Sequence, residues 1–240
     1  MKILGIDTSG YANAIGIVDG ERVLADNTFE ARSDSLEKII THIDFVLKSA
    51  ALTLDDIQGF GVGLGPGSWT GIRMGVTVAK ILAYSTNRPL FGISTFEVLA
   101  FSAGNVPETV CAIISTGTPD TVYSAFYRRE NGKLIRAGDY FVGTLQDLSK
   151  KIDKPVVLIS SSESYKRDMI VSEPTSLAKI VRTIVESPKG STIALLAANR
   201  HKNGEADDAL SLTPLYLKES TARAFTNKYK QKAIASGKDI

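Results

Sequence analysis

A single cysteine, Cys111, two histidines, His42 and His201, and one tryptophan stand in 240 residues. One cysteine excludes a disulfide framework within the chain and any all-cysteine metal site. It sits in the apolar run Val110 to Ile114, which predicts a buried, inert thiol. Two isolated histidines supply neither a paired metal site nor a Ser/His/Asp or Cys/His catalytic arrangement. His42 falls beside the apolar stripe of a helix and reads as a half-exposed helix residue. Charge of one sign is also missing: the net charge is only +2, so the whole surface is no strong magnet for nucleic acid. No stretch approaches the roughly 18–20 apolar residues of a membrane span. Asp7 breaks the first apolar run early, so no secretory signal is read. A cytoplasmic protein without membrane contact is expected.

What the chain has is a soluble composition, 43% apolar and 22% charged, in a length suited to one large or two modest domains. Residues 2–8 and 12–18 are apolar segments around a polar turn. Asp19-Gly20 is a hairpin signal, and Arg22 to Phe29 can return as a third strand. Asp34, with Glu37 three residues on, can cap a helix whose Leu36, Ile39, Ile40, Ile43, Val46, Leu47 and Ala50 share one face. Thr53 with Asp56 suggests a short helix before a strand over Phe60 to Leu64. The second half repeats the plan. Strands are expected at 110–115 and 121–129, with a return over 133–142 after Asn131-Gly132. A short helix begins at Thr144, a strand covers 156–159, and helices cover about 176–186 and 190–203. Domains are therefore placed at 1–103 and 104–220, with 221–240 as a basic extension too poor in apolar residues to be needed for folding.

The richest stretch is Gly63-Leu64-Gly65-Pro66-Gly67-Ser68-Trp69-Thr70-Gly71-Ile72-Arg73-Met74-Gly75. A strand, a glycine-rich turn and a helix start place free N–H groups and a helix dipole around one point, which can hold an anion. The same glycines can serve only to make a tight corner. No Lys-Ser/Thr pair follows them, so this is not a Walker loop. In the helix that follows, Gly71, Gly75, Ala79 and Ala83 form a ridge of minimal side chains. Met74, Val78 and Ile81 line an adjacent apolar strip, and Arg73, Thr77, Lys80 and Tyr84 form a narrow polar stripe. Such a ridge lets a neighbour approach closely. That neighbour is either the chain's own domain or a partner.

Gly65 to Gly75 resembles the G-P-G-S-[FW]-T-G-[LI]-R-[IM]-G motif of the TsaB (YeaZ) family. Ile3 to Ser9 is similar to that family's first strand and Asp-Thr-Ser turn. Gly92 to Ala100 is similar to its G-V-S-[ST]-L-E-A-L-A, and Leu212 to Lys218 to its closing L-x-P-x-Y-L-R. The resemblance implies an α/β fold of two duplicated domains, the actin/sugar-kinase/heat-shock-protein ATPase (ASKHA) architecture. It implies a subunit of the bacterial machinery that makes threonylcarbamoyladenosine in transfer RNA. The expected partners are a TsaD-type catalytic subunit and a TsaE-type ATPase, with a homodimer when alone and transfer-RNA contact through the complex. The expected docking surface joins Leu36, Ile40 and Ile43 of the first helix to Gly71, Gly75, Ala79 and Ala83.

By the same resemblance, Asp7, Thr8, Ser9, Gly65, Gly67 and Ser68 mark a vestigial phosphate site. No catalytic residue, metal ligand or required cofactor is expected, and residual ATP or ADP binding stays open. Ser115-Thr116-Gly117-Thr118 stands where the family has Asp-Ala-Arg, and a hydroxyl cannot replace a carboxylate as metal ligand or general base. Ile159-Ser160-Ser161-Ser162-Glu163 offers no Gly-Gly turn for adenosine. Ser35-Leu36-Glu37 replaces the family's His-Ser-Glu. A non-catalytic partner subunit is the leading reading. A nucleotide-dependent phosphotransferase of the same fold and a glycoprotease-type metallopeptidase are the alternatives.

Overall fold

The structure is a computed structural model describing residues 1–10, 12–30, 35–161 and 179–217, with the side chains of 35–37 outside that description. The first half forms β1 (Lys2–Asp7), β2 (Ala12–Asp19), β3 (Arg22–Glu30), α1 (Ser35–Ser49), β4 (Gly59–Gly63), α2 (Trp69–Thr86), β5 (Leu90–Ile93) and α3 (Thr95–Ser102). The second forms β6 (Thr109–Ser115), β7 (Thr121–Glu130), β8 (Lys133–Arg136), β9 (Phe141–Thr144), α4 (Leu145–Lys151), β10 (Val156–Ser160), β11 (Ile180–Val185) and α5 (Gly190–Lys202).

The duplication expected from the sequence is written in the strand orders, β3-β2-β1-β4-β5 and β8-β7-β6-β10-β11. In each sheet three antiparallel strands lead and two parallel strands complete the order. Both hairpins close on two residues. Asp19 pairs with Arg22 across Gly20-Glu21, and Glu130 pairs with Lys133 across Asn131-Gly132. Asn131 and Gly132 have φ of +51° and +79°, the backbone that makes Asn-Gly the preferred hairpin turn. Ser68, Ser94 and Thr144 cap α2, α3 and α4 through their side chains.

Three expectations are corrected. The return after Asn131-Gly132 is not one strand but two, β8 and β9, both paired to β7 and separated at Gly138, whose φ is +89°. Residues 180–185 of the expected 176–186 helix are strand β11. Their β-branched run, Ile-Val-Arg-Thr-Ile-Val, suits a pleated surface better than a helix. The boundary at 103/104 divides the chain but not the packing. Helix α5 returns to the first sheet, where Ile193, Ala194 and Ala197 pack with Ile3 and Phe91. Conversely, Phe96, Leu99 and Ala100 of α3 pack on the second sheet with Val110, Ala112 and Tyr127. The halves thus exchange helices, and α3 and α5 touch each other between the sheets. The outer faces carry α1 and α2 on the first sheet and α4 on the second. The Asp34 cap, residues 162–178 and the 221–240 extension lie outside the described residues.

Candidate functional site

Asp7 ends β1 and is 1% exposed. Its Oδ1 accepts hydrogen bonds from the Ser9 backbone N–H at 2.8 Å and the Ser9 hydroxyl at 2.7 Å. Its Oδ2 is buried with no hydrogen-bond partner among the described residues. Burial raises the Asp7 pKa, and the two Ser9 bonds work against that rise. The turn then knots onto the glycine-rich corner. The Thr8 hydroxyl donates to the Gly71 carbonyl at 2.7 Å, and the Ser68 N–H donates to the Ser9 carbonyl at 2.7 Å. Thr95 adds a third strand to the knot. Its N–H donates to the Gly65 carbonyl at 2.9 Å, and its hydroxyl donates to Ser9 Oγ at 3.1 Å.

All six residues expected at an anion site are therefore brought together, but by contacts with one another. A Cβ on Gly67 would stand 2.1 Å from the Ser9 carbonyl oxygen. The Ser68 N–H is directed to Ser9, and the Ser68 hydroxyl accepts from the Gly71 N–H at 3.3 Å as the helix cap. This is the tight-corner use of the glycines. A metal-bound nucleotide phosphate does not fit here: the free Asp7 oxygen lies against Gly63, beside the Ile193 methyl, and faces no open space. Among the described residues, no group of three or more His, Cys, Asp or Glu could hold a metal ion.

The small-residue ridge of α2 is corrected as well. Gly71, Gly75, Ala79 and Ala83 are all buried within their own domain. A Cβ on Gly71 would meet the Thr8 carbonyl oxygen at 2.0 Å, and one on Gly75 would meet Thr8 Oγ1 at 2.3 Å. Ala79 and Ala83 lie in the core with Ile43, Val62 and Leu90. The ridge admits the chain's own Thr8 turn and sheet, not a partner. Ile43 is likewise buried, whereas Ile40 is 56% exposed, and the Leu36 side chain lies outside the described residues.

The polar stripe of α2 also serves the chain itself. The Lys80 ammonium donates to the Leu210 and Leu212 carbonyls at 3.0 and 2.9 Å. The Arg73 guanidinium lies over the Trp69 ring at 4.4 Å and donates from Nε to the Tyr216 hydroxyl at 3.1 Å. Arg200 of α5 fixes the start of the same strap through Asp207, at 2.7 Å, and through the Gly92 carbonyl, at 2.9 Å. With one flank strapped and one face on the sheet, Met74 and Val78 are partly buried against the core and the outward surface of α2 is left to Ile81 and Tyr84. Ile81 is 60% exposed and Tyr84, at the end of the helix, 69%.

These residues and this fold have known relatives. The family described as TsaD, tRNA N6-adenosine threonylcarbamoyltransferase, matches residues 29–224. The chain belongs to this family. Within it, the whole-length likeness is to TsaB. The TsaB protein of Bacillus subtilis, described as a tRNA threonylcarbamoyladenosine biosynthesis protein, is 28% identical over 93% of this chain and 97% of its own. The tRNA N6-adenosine threonylcarbamoyltransferase of Brachyspira hyodysenteriae is 39% identical, but over only 42% of this chain and 35% of its own. In structure, YeaZ from Pseudomonas aeruginosa superposes with a TM-score of 0.73 at 22% identity, covering 90% of this chain and all of that one. The fold expected from the resemblance is therefore the fold found.

For this TsaB-like member, the sequence reading missed the glycines that seat α5. A Cβ on Gly5 would stand 2.1 Å from the Gly190 carbonyl oxygen, and one on Gly16 2.2 Å from the Ser191 nitrogen. Gly61 faces Ile193 and Ala197 in the same way. The signal was present: Gly59, Gly61 and Gly63 alternate along β4, so one whole face of that strand is bare. At the helix end, the Ser191 N–H and hydroxyl both donate to the Asp26 carboxylate, an acid where the dipole favours one.

Proposed function

We propose that this protein is a TsaB-type partner subunit in the synthesis of threonylcarbamoyladenosine in transfer RNA, docking on a TsaD-type catalytic subunit without doing chemistry itself. The observation that carries the reading is the exposed apolar surface of α2 at Ile81 and Tyr84, with Ile40 exposed on α1. A surface of this kind suits a helix pair from another subunit, and each isoleucine fully buried there contributes about 1.5–3 kcal/mol. The same flank serves the homodimer when the catalytic subunit is absent. A TsaE-type ATPase is the third member of the assembly.

An inactive role is supported by the closed Asp7 carboxyl and by the second turn, where Ser115 to Thr118 carry no acid and Asp120 stands exposed just before β7. A phosphotransferase needs a carboxylate open to metal-bound phosphate, and Asp7 is sealed. The test is the variant Ile40→Glu/Ile81→Arg, co-expressed with the TsaD-type protein of the same cell. Pairing on affinity capture and the homodimer mass by light scattering should both be lost, while the melting temperature stays close to that of the parent. A double variant that pairs normally removes this flank from the interface.

A further inference from the structure

At the β5 edge of the first sheet, α3, α5 and the β7–β8 hairpin enclose a half-open cleft of about 820 Å³. Its lining includes Leu64 and Ser94, the chain neighbours of Gly65 and Thr95, but none of Asp7, Thr8, Ser9, Gly65, Gly67 and Ser68. Helix α5 seats its first turn on Gly5 and Gly16 and lines the cleft from Leu196 to its C-terminal end at Asn199 and Lys202. The volume lies within the ~300–1,000 Å³ of small-molecule sites.

Its lining holds groups that the fold leaves unused. The Glu97 carboxyl of α3 is mostly buried and has no hydrogen-bond partner among the described residues. Burial raises its pKa, against the pull of the nearby Arg200 charge. Arg200 is already held by Asp207 at 2.7 Å, Glu205 at 2.9 Å and the Gly92 carbonyl at 2.9 Å. On the hairpin stand Arg129 and Lys133. Arg129 is braced by the Gly104 carbonyl at 3.2 Å and set 5.8 Å from the Phe101 ring. Neither cation has a carboxylate partner among the described residues. The Asn199 amide is likewise uncommitted among them.

A ligand that answers all of these carries an anion for Arg129 and Lys133, hydrogen-bonding edges for Glu97 and Asn199, and a flat body for the apolar wall at Phe101. A fatty anion would leave Glu97 unanswered, and a simple amine would meet the two cations. We propose that the cleft binds a nucleotide unit, with its phosphate on Arg129 and Lys133 and its base edge on Glu97 and Asn199. Carboxamides match purine edges with paired hydrogen bonds, and a carboxylate accepts from an exocyclic amino group. Guanidinium and ammonium groups are the usual phosphate ligands. The unit is either a free mononucleotide or one residue of a single-stranded RNA, since the cleft is open on one side. The inference stands apart from the docking flank on α2.

The test titrates the full-length protein at low salt with AMP, with adenosine, and with a fluorescein-labelled single-stranded oligoadenylate. Saturable AMP binding is expected, with adenosine weaker by about tenfold or more, the scale of a lost hydrogen bond between charged groups. Lys133→Glu and Asn199→Leu, both at exposed positions, should each weaken AMP by about tenfold or more, with the melting temperature unchanged. RNA binding that AMP displaces and Lys133→Glu abolishes identifies the strand as the source. AMP binding without RNA binding identifies the free nucleotide. No saturable binding of either probe overturns the proposal, as does binding that both variants leave intact. Binding lost in Asp7→Asn but kept in Lys133→Glu and Asn199→Leu would place the nucleotide at the first turn and overturn it equally.

Discussion

The two sheets share one strand order, yet the faces they turn to the exchanged helices are built in opposite ways. On the first sheet that face carries Gly5, Asp7, Gly16, Gly61 and Gly63, and α5 meets Gly5 and Gly16 through its backbone, Gly61 through the Ile193 and Ala197 side chains, and also packs on Ile3 and Phe91. On the second it is Val110, Ala112, Ile114, Ala125 and Tyr127, and α3 meets it through Phe96 and Leu99. At the end of the first strand the contrast is sharpest: Asp7 on one side, Ile114, 5% exposed, on the other. The turns that follow begin alike. The Ser9 N–H donates to Asp7 Oδ1 at 2.8 Å, and the Gly117 N–H donates to Ser115 Oγ at 3.1 Å. The first turn is then buried by the corner at Gly67, whereas Gly117 and Thr118 are exposed. A repeated topology therefore does not carry repeated chemistry. Where side chains are absent, the helix comes close and seals the acid. Where they are present, the turn stays open, and its one acid is the exposed Asp120 just before β7.

Substitutions can break this comparison, and the largest effect is expected at the bare face. Gly5→Ala puts a methyl far inside van der Waals contact with the Gly190 carbonyl oxygen, which cannot rotate away. The loss should exceed about 3 kcal/mol, the upper part of the usual overpacking range, read from urea unfolding. On the opposite sheet, Ala112→Gly removes one methyl from a face that packs by side chains. It should cost only about 1–2 kcal/mol. Equal losses at the two sites would remove the distinction.

Gly75→Leu comes next. Had Gly75 stood in the docking surface expected from the resemblance, the variant would be an intact monomer with its pairing abolished. With Thr8 Oγ1 2.3 Å from the Cβ position, the outcome now expected is a destabilised or unfolded protein, seen as a large drop in melting temperature. A stable monomer would restore the ridge to the interface.

A smaller effect concerns the sealed acid. Asp7 has a folded pKa raised above 3.8 by burial, so the folded chain holds this proton to higher pH than the unfolded chain does. Its contribution to stability is fully present below about 3.8 and is lost as pH rises through the folded value. Asp7→Asn, which has no proton to lose, should gain stability relative to the parent as pH rises from 3.8. Urea midpoints of both proteins across that range check the sign. A difference independent of pH would mean that Asp7 is not sealed.

Least affected should be Cys111, whose thiol is pushed up to about 12 by burial and stands 3.3 Å from Ser124 Oγ. Alkylation of the native protein at neutral pH should be very slow and should accelerate only under unfolding conditions. Rapid labelling of the folded chain would show that the second sheet opens locally.

Much of the local structure was legible because it rests on short-range rules. Asp19-Gly20 and Asn131-Gly132 signalled their hairpins through backbone conformation, and Thr144 with Asp147 signalled its helix through a cap. The long motif from Gly65 to Gly75 pointed to the family. The docking residues were less legible. Helical phase identifies Gly71, Gly75, Ala79 and Ala83 as one face, but a small-residue face admits a neighbour without saying which one.

By itself the sequence determined the hairpin turns, the Thr144 cap and the lack of an acid in Ser115 to Thr118, because these depend on residues near one another in the chain. Only the tertiary structure decided that α3 and α5 change places, that Lys80 and Arg73 hold the strap, and that Thr8 fills the ridge of α2. It alone sealed Asp7 against Gly63 and Ile193. Those outcomes depend on which surfaces meet across 60 to 190 positions of sequence, as Thr8 meets Gly71 and Gly5 meets Gly190, and no local periodicity records the partner.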